Sequence, residues 1–277
     1  MSQWVGAKAQ RPALSLQSVS SPFAVSMHFL RSRVASLGLF LAVAVTPACQ
    51  RAAYVAKPAL APTTAQPVGQ TLPPDPKIAA LIEPYQQKVT QQMAEVIGTA
   101  PVALKKNSGE SPLANFIADI QRQRASTVMG SPIDVGVITN GGLRAEIPAG
   151  PIKLGGIFEL MPFENELVVL DAPGAVMQQL FDYSARIKMA ISGATYTVGA
   201  DGKATSILIG GKPLNLASTY TVAISDYLAG GGDNMVFFKT IKPRGTGVLL
   251  RTAIADHIRQ LTKEGKPVEA KVEGRVR

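Results

Sequence analysis

Thr195-Tyr-Thr-Val-Gly-Ala-Asp-Gly-Lys-Ala-Thr-Ser-Ile-Leu-Ile209 (TYTVGADGKATSILI) holds two β-branched runs, Thr195–Val198 and Thr205–Ile209, on either side of Asp201-Gly202. Asp-Gly adopts positive φ cheaply, so the chain is expected to reverse there and pair the two runs antiparallel. Tyr220–Ile224 reads as a third strand, and Pro173-Gly-Ala-Val-Met-Gln-Gln-Leu-Phe opens a helix just upstream of the hairpin. Working toward the N-terminus, Glu166–Leu170 (ELVVL) and Ile157–Leu160 are apolar runs of strand length. Ile133–Thr139 (IDVGVIT) is a buried strand that leads into Asn140-Gly-Gly-Leu-Arg144. Pro112 behind the capping residue Ser111 starts a helix through Leu113, Phe116, Ile117 and Ile120. Ile78, Leu81, Ile82, Tyr85, Val89, Met93, Val96 and Ile97 recur at helical spacing, with Gly98 as the stop and Pro84 as a kink or first-turn residue. Gly247–Leu261 reads as a last amphipathic helix and Val268–Val272 as a closing strand. Hairpins among helices favour a mixed α/β (α+β) domain, with helices packed on mixed, partly antiparallel sheets, over a doubly wound parallel one. No internal repeat and no second folded domain is legible.

The chain has 277 residues, of which 46% are hydrophobic, enough for a sizeable core. Its first part reads differently. Arg31 and Arg33 precede the apolar run Val34–Val45, which is short for a bilayer span and suits the centre of a secretion signal. The run ends at Thr46-Pro-Ala-Cys49, and this is the chain's single cysteine. The stretch resembles a bacterial lipobox, with the small Ala48 in place and with Thr46 and Pro47 departing from the usual residues. Residues 1–48 are therefore expected to be a signal peptide, with Met27 a possible true start. Cys49 is expected to be the lipidated mature N-terminus, and residues 49–75, rich in Ala, Pro, Thr and Gln, a disordered tether. The expected location is the bacterial cell envelope, exported and lipid-anchored. The folded domain is expected over residues 76–277.

Net charge is +9, and it falls to +5 once the four basic residues Lys8, Arg11, Arg31 and Arg33 leave with an acid-free signal. No dense Lys/Arg run interleaves with aromatics, so nucleic acid is not an expected partner, whereas small phosphorylated ligands are compatible with the charge. One cysteine excludes an internal disulfide.

The two histidines are His28, in the signal, and His257, on the last helix among apolar residues. A di-metal hydrolase needs several His and Asp ligands, and one histidine in the folded part cannot supply them. No dinucleotide or P-loop glycine pattern is present. The glycines occur instead at strand ends. Asn140-Gly141-Gly142-Leu-Arg144 can turn backbone N–H groups toward an anion beside a guanidinium fork, or can be a plain tight turn. Phe163 stands two residues before Asn165, ahead of a strand. Tyr227 leaves Tyr220–Ile224, and Gly230-Gly-Gly232 brings Asp233 back toward it. Two aromatics with an amide and a carboxylate suit a nucleoside: rings for the base, amide for its edge, carboxylate for ribose hydroxyls.

Taken in order, EPYQQKVTQQMAEVIG, GESPLANFIADIQRQ, VGVITNGGLRAEIPAGPI, FELMPFENELVVL and SDYLAGGGD resemble the C-terminal, substrate-binding domain of the 5'-nucleotidase family over about residues 76–277. The resemblance implies that Phe163 and Tyr227 are the two base-stacking aromatics, normally both phenylalanine. It further implies that Asn165 contacts the base, Asp233 the ribose, and Arg144 the phosphate and ribose side. The family's Asn-x-Gly-Gly-Ile-Arg places Thr139 where asparagine is usual and shifts Asn140 by one. A further phosphate-side arginine falls at Asn107, with Lys105 or Lys106 as point-charge substitutes.

The family's metallophosphoesterase domain, with its metals and catalytic groups, is not seen in this chain. The expectation is accordingly a nucleotide or nucleoside recognition domain, purine expected, with no catalytic residues, metal ligands or cofactor of its own. It would act with a separate metallophosphoesterase chain that carries divalent metals. The alternative is a stand-alone, non-enzymatic nucleotide or nucleoside-binding lipoprotein.

Overall fold

The computed structural model describes residue 69 and residues 73–277 apart from residue 190. The signal run, Cys49 and nearly all of the tether lie outside them. The elements in order are α1 (Pro76–Met93), β1 (Val96–Ala100), α2 (Pro112–Met129), β2 (Val135–Val137), β3 (Gly150–Lys153), α3 (Leu154–Leu160), β4 (Glu166–Pro173) and α4 (Gly174–Ile187). Then follow β5 (Ile191–Ser192), β6 (Ala194–Val198), β7 (Ala204–Ile209), β8 (Lys212–Pro213), β9 (Thr219–Ser225), the short α5 (Asp226–Ala229), β10 (Arg244–Leu249) and α6 (Leu250–Lys263). A central five-stranded sheet runs β10-β4-β9-β2-β5, flanked by the pair β1-β3 and the three-stranded β6-β7-β8. Of the pairings between these strands, only β2 against β9 is parallel. The mixed, mainly antiparallel architecture follows the hairpin reading of Asp201-Gly202, where Gly202 has φ +76°.

Alternation along the central strands sorts their side chains to two faces. Val168, Leu170, Ala172, Val222 and Ile224 pack with Met177, Leu180 and Phe181 of α4 and with the β6–β7 hairpin. Leu167, Val169 and Ala223 turn the other way, to Ala125 of α2 and Leu250 of α6. Each fully buried aliphatic side chain contributes roughly 1.5–3 kcal/mol of transfer free energy. A third cluster fills the space between α2, α3, α6 and the β1–β3 pair. α2 lies directly on β2 because residue 136 is glycine: a β-carbon there would stand 2.4 Å from the Ala118 carbonyl oxygen.

The structure departs from the local sequence expectations in four places. The first helix ends at Met93, and Val96 and Ile97 belong to β1. Gly98 is the site of close α6 packing rather than a helix stop, since a β-carbon would meet Ile258 Cγ2 at 2.6 Å. The helix itself is capped by Asp75 Oδ1, which accepts from the N–H groups of Lys77 and Ile78, yet Ile78, Leu81, Ile82, Tyr85 and Val89 are all exposed. Ile157–Leu160 is the end of helix α3, because a short apolar run does not distinguish a strand from a buried helical turn. Arg244–Leu249 is a bulged edge strand with Gly247 at φ +69°, so the last helix starts at Leu250 rather than Gly247.

The fourth correction is the C-terminus, where Val268–Val272 forms no strand. Pairing occurs further on, with Val276 bridged parallel to Tyr196. In the segment itself Val268 N–H donates to the Thr99 carbonyl of β1 and the Lys271 carbonyl accepts from the Asn115 amide. Just beyond it the Glu110 carboxylate accepts from the N–H groups of Glu273 and Arg275 and from the same amide. Burial pushes the Glu110 carboxyl up, but these hydrogen bonds outweigh it and hold it below its ordinary 4.5. A depressed folded pKa means stability present in full above pH 4.5 and lost as pH falls through the lower folded value. Wild type and Glu110→Gln are therefore expected to differ in thermal midpoint at pH 7 and to converge on acidification below pH 4.5. A difference that persists unchanged at pH 3 would argue against this tail-pinning role.

Candidate functional site

Topology explains why segments distant in sequence meet. β2 and β9 run parallel, so both C-terminal ends reach the same edge of the sheet. β4 runs antiparallel to β9 with Leu167 opposite Ser225, so the loop before β4 arrives at that edge too. A cleft of about 410 Å³ lies there, lined by Thr139, Gly141, Gly142 and Arg144 after β2, Phe163 and Asn165 before β4, and Tyr227 and Asp233 after β9. Leu250, Ile138 and Leu228 line its apolar part.

Phe163 and Tyr227 are 41% and 55% exposed, unusual for aromatics that could have been buried. The Arg144 guanidinium sits 5.3 Å over the Phe163 ring centroid. The loop that carries Phe163 is tied at both ends: Arg144 N–H donates to the Leu160 carbonyl at 2.9 Å, and Leu250 N–H to that of Asn165 at 2.9 Å. Arg251 reinforces it by donating to the Pro162 carbonyl at 3.3 Å, pairing with Glu164 at 3.5 Å, and lying 4.2 Å over the Phe158 ring. Arg251 lies in no motif, and Phe158, though it opens FELMPFENELVVL, carries no sign of this role in the sequence.

Asp233 is the most constrained residue of the site. Its Oδ2 accepts from Thr139 Oγ1 at 2.7 Å, and its Oδ1 from the Tyr227 hydroxyl at 3.0 Å. Its N–H donates to Tyr227 Oη at 3.3 Å, and its carbonyl accepts from the Tyr183 hydroxyl at 2.8 Å. Asp233 and Asn234 have φ +50° and +65°, two successive non-glycine residues in the left-handed region. The glycine run serves this geometry. Gly231 takes φ +93°, and the Tyr227 ring lies against Gly232, where a β-carbon would be 2.5 Å from Cε1 and Cζ. Thr139 and Tyr183 were not singled out in the sequence. Position 139 was noted only for its departure from asparagine, and Tyr183 reaches the site from α4 through tertiary packing alone.

Asn140 is placed apart from the other site residues. Its side-chain amide donates to the carbonyls of Asn107 and Gly109, which fixes the loop before α2. Lys106, one of the two lysines beside Asn107 considered for the place of that arginine, donates its ammonium to the Leu143 carbonyl at 2.8 Å. His257 lies away from the cleft, edge-on to Phe116 at 5.8 Å, with burial lowering its pKa. Among the described residues no group of three His, Cys, Asp or Glu side chains could hold a metal ion, and no helix is long and apolar enough to cross a membrane.

Gly141 is outside the left-handed region, and a β-carbon there would rest 3.5 Å from Asp233 Oδ2, in ordinary contact. A side chain at this position would fill the cleft without straining the backbone. Gly141→Leu is expected to leave the melting temperature nearly unchanged while lowering the affinity of the cleft for the nucleoside expected from the sequence, with adenosine as the probe, at least about tenfold. Equal affinity in calorimetry would remove this wall from the site.

The comparisons with known proteins agree on one family. A family model described as 5'-nucleotidase, C-terminal domain, matches residues 93–240, more than half of the chain. Endonuclease YhcR of Bacillus subtilis is 29% identical over 171 residues, 56% of this chain and 13% of that protein. Protein UshA of Yersinia enterocolitica is 27% identical over 212 residues, 73% of this chain and 37% of its own length. The crystal structure of a 5'-nucleotidase precursor from Thermus thermophilus superposes with a TM-score of 0.61 at 29% identity, covering 72% of this chain and 42% of that one. The chain thus spans less than half the length of each of these relatives.

Proposed function

The chain belongs to the 5'-nucleotidase C-terminal domain family, and from that premise we propose that its cleft binds the nucleoside end of a nucleotide for a 5'-nucleotidase-type system. The observation that supports this most is the convergence of two solvent-exposed rings, Phe163 and Tyr227, with Arg144, Asn165 and Asp233 around one cleft. The rings hold a flat heterocycle, Asn165 reads its edge, Asp233 accepts ribose hydroxyls and Arg144 faces the phosphate side. Stacking contributes roughly 1–3 kcal/mol per ring, so two rings with polar contacts reach roughly 5–8 kcal/mol. That is about millimolar to micromolar affinity.

Phosphoester cleavage is assigned to a separate metallophosphoesterase chain that carries divalent metals, and export with lipidation of Cys49 places this chain at the cell envelope beside it. To test the division of labour, the protein is combined with a metallophosphoesterase, AMP and divalent metal. A rate above that of the phosphoesterase alone is expected, and no gain counts against the split system. The second reading, a stand-alone binder, is favoured by the constrained, ready-made state of Asp233. It predicts calorimetric binding of adenosine and AMP with no effect on any phosphoesterase rate.

A further inference from the structure

Asp233 offers an uncommon accounting: its N–H, its carbonyl and both carboxylate oxygens are engaged, by three side chains from three different segments. Two of those partners, Thr139 and Tyr227, hold the carboxylate itself, one hydroxyl on each oxygen. A hydroxyl on each oxygen fixes the plane of the carboxylate yet leaves each oxygen able to accept once more. Two adjacent acceptors held in one plane match two hydroxyls on neighbouring carbons. The backbone supports the same arrangement, since the left-handed conformation of Asp233 persists only because its surroundings hold it.

Resting on the nucleoside reading above, in which Asp233 receives the ribose hydroxyls, we propose that Tyr227 and Thr139 are positioning residues: their hydroxyls hold the Asp233 carboxylate in the plane that meets a vicinal diol, and the cleft's selection of ribonucleosides over sugars lacking that diol depends on them. Tyr227 thereby has two separable roles. Its ring forms a wall of the cleft, and its hydroxyl, absent from phenylalanine, orients a carboxylate across the glycine turn. Tyr183 holds the same residue through its carbonyl and keeps the loop from relaxing.

The test is calorimetric titration of the full chain with adenosine and with 2',3'-dideoxyadenosine, for wild type, Tyr227→Phe, Thr139→Val and Thr139→Ser. Wild type is expected to favour adenosine by about tenfold or more, the scale of hydrogen bonds to a charged acceptor. Tyr227→Phe and Thr139→Val are each expected to reduce that adenosine-to-dideoxyadenosine ratio several-fold, on the order of one such hydrogen bond. Thr139→Ser, which keeps the hydroxyl, should restore it. A ratio unchanged in both Tyr227→Phe and Thr139→Val, or affinities for the two ligands that fall in parallel, would overturn the positioning role. Wild type that binds both ligands equally overturns the diol selection while the nucleoside reading stands. Wild type that binds neither overturns both.

Discussion

Phe163→Ala is expected to weaken adenosine binding by roughly 1–3 kcal/mol, about 5- to 150-fold, with little change in stability. The asymmetry follows from position. Phe163 is 41% exposed on a loop held by backbone hydrogen bonds from Arg144 and Leu250, so the fold does not depend on its ring. The ring does, however, support Arg144, whose guanidinium lies 5.3 Å above it. Removing it frees a cation as well as a stacking surface, and the loss for AMP is expected to be at least as large as for adenosine. Calorimetry with both ligands, beside a thermal melt, measures the effect. Wild-type affinity for both in Phe163→Ala would remove this ring from the site.

Arg275→Ala is expected to cost about 2–3 kcal/mol of stability and to lower the melting temperature by roughly 5–10 °C. The Arg275 side chain is only 9% exposed and grips both Asp119 carboxylate oxygens, at 2.9 and 2.7 Å, together with Glu273 at 2.8 Å. Breaking a fully buried pair costs about 3–5 kcal/mol, but Asp119 and Glu273 are nearly half exposed and water would take over part of their solvation, hence the smaller figure. The same contacts hold the tail beside β6, where Tyr196 N–H donates to the Arg275 carbonyl, Arg277 N–H to the Tyr196 carbonyl and Val198 N–H to the Arg277 carbonyl, so the tail should detach together with the charge. Arg275→Lys should recover only part of the loss, because an ammonium cannot bridge two oxygens in the plane as a guanidinium does. An unchanged melting temperature in scanning calorimetry would contradict the assignment.

How much of this was legible in the chain depended on the range of the interaction. Ser111 caps α2 as its position before Pro112 indicated, with Oγ accepting from the Ala114 N–H at 3.2 Å. Asp201-Gly202 turned the β6–β7 hairpin, because turn conformation is set within a few residues. The readings that failed were decided at long range. Val96 and Ile97 continue a helical spacing, but pairing of β1 with β3, more than fifty residues on, draws them into a strand. The edge strand β10 gave no signal because Arg244-Gly-Thr-Gly has low strand propensity, and its place beside β4 stabilises it instead.

Local interactions along the chain account for the family motifs, the periodicities, the caps and the turns, and with them the mixed sheet and the segments that could carry a nucleoside site. Tertiary structure alone decided which of those residues share the cleft. The antiparallel and parallel pairings of β9 bring the segments at 139–144, 163–165 and 227–233 to one edge, while Asn140 is turned to the Asn107–Gly109 loop. It also brought the hydroxyls of Thr139 and Tyr183 to Asp233, an approach that no local pattern indicates, beside the Tyr227 hydroxyl that the glycine turn returns to it. The physical reason is that a hydrogen bond between side chains acts over about 3 Å in space and is indifferent to the 94 residues separating Thr139 from Asp233 along the chain.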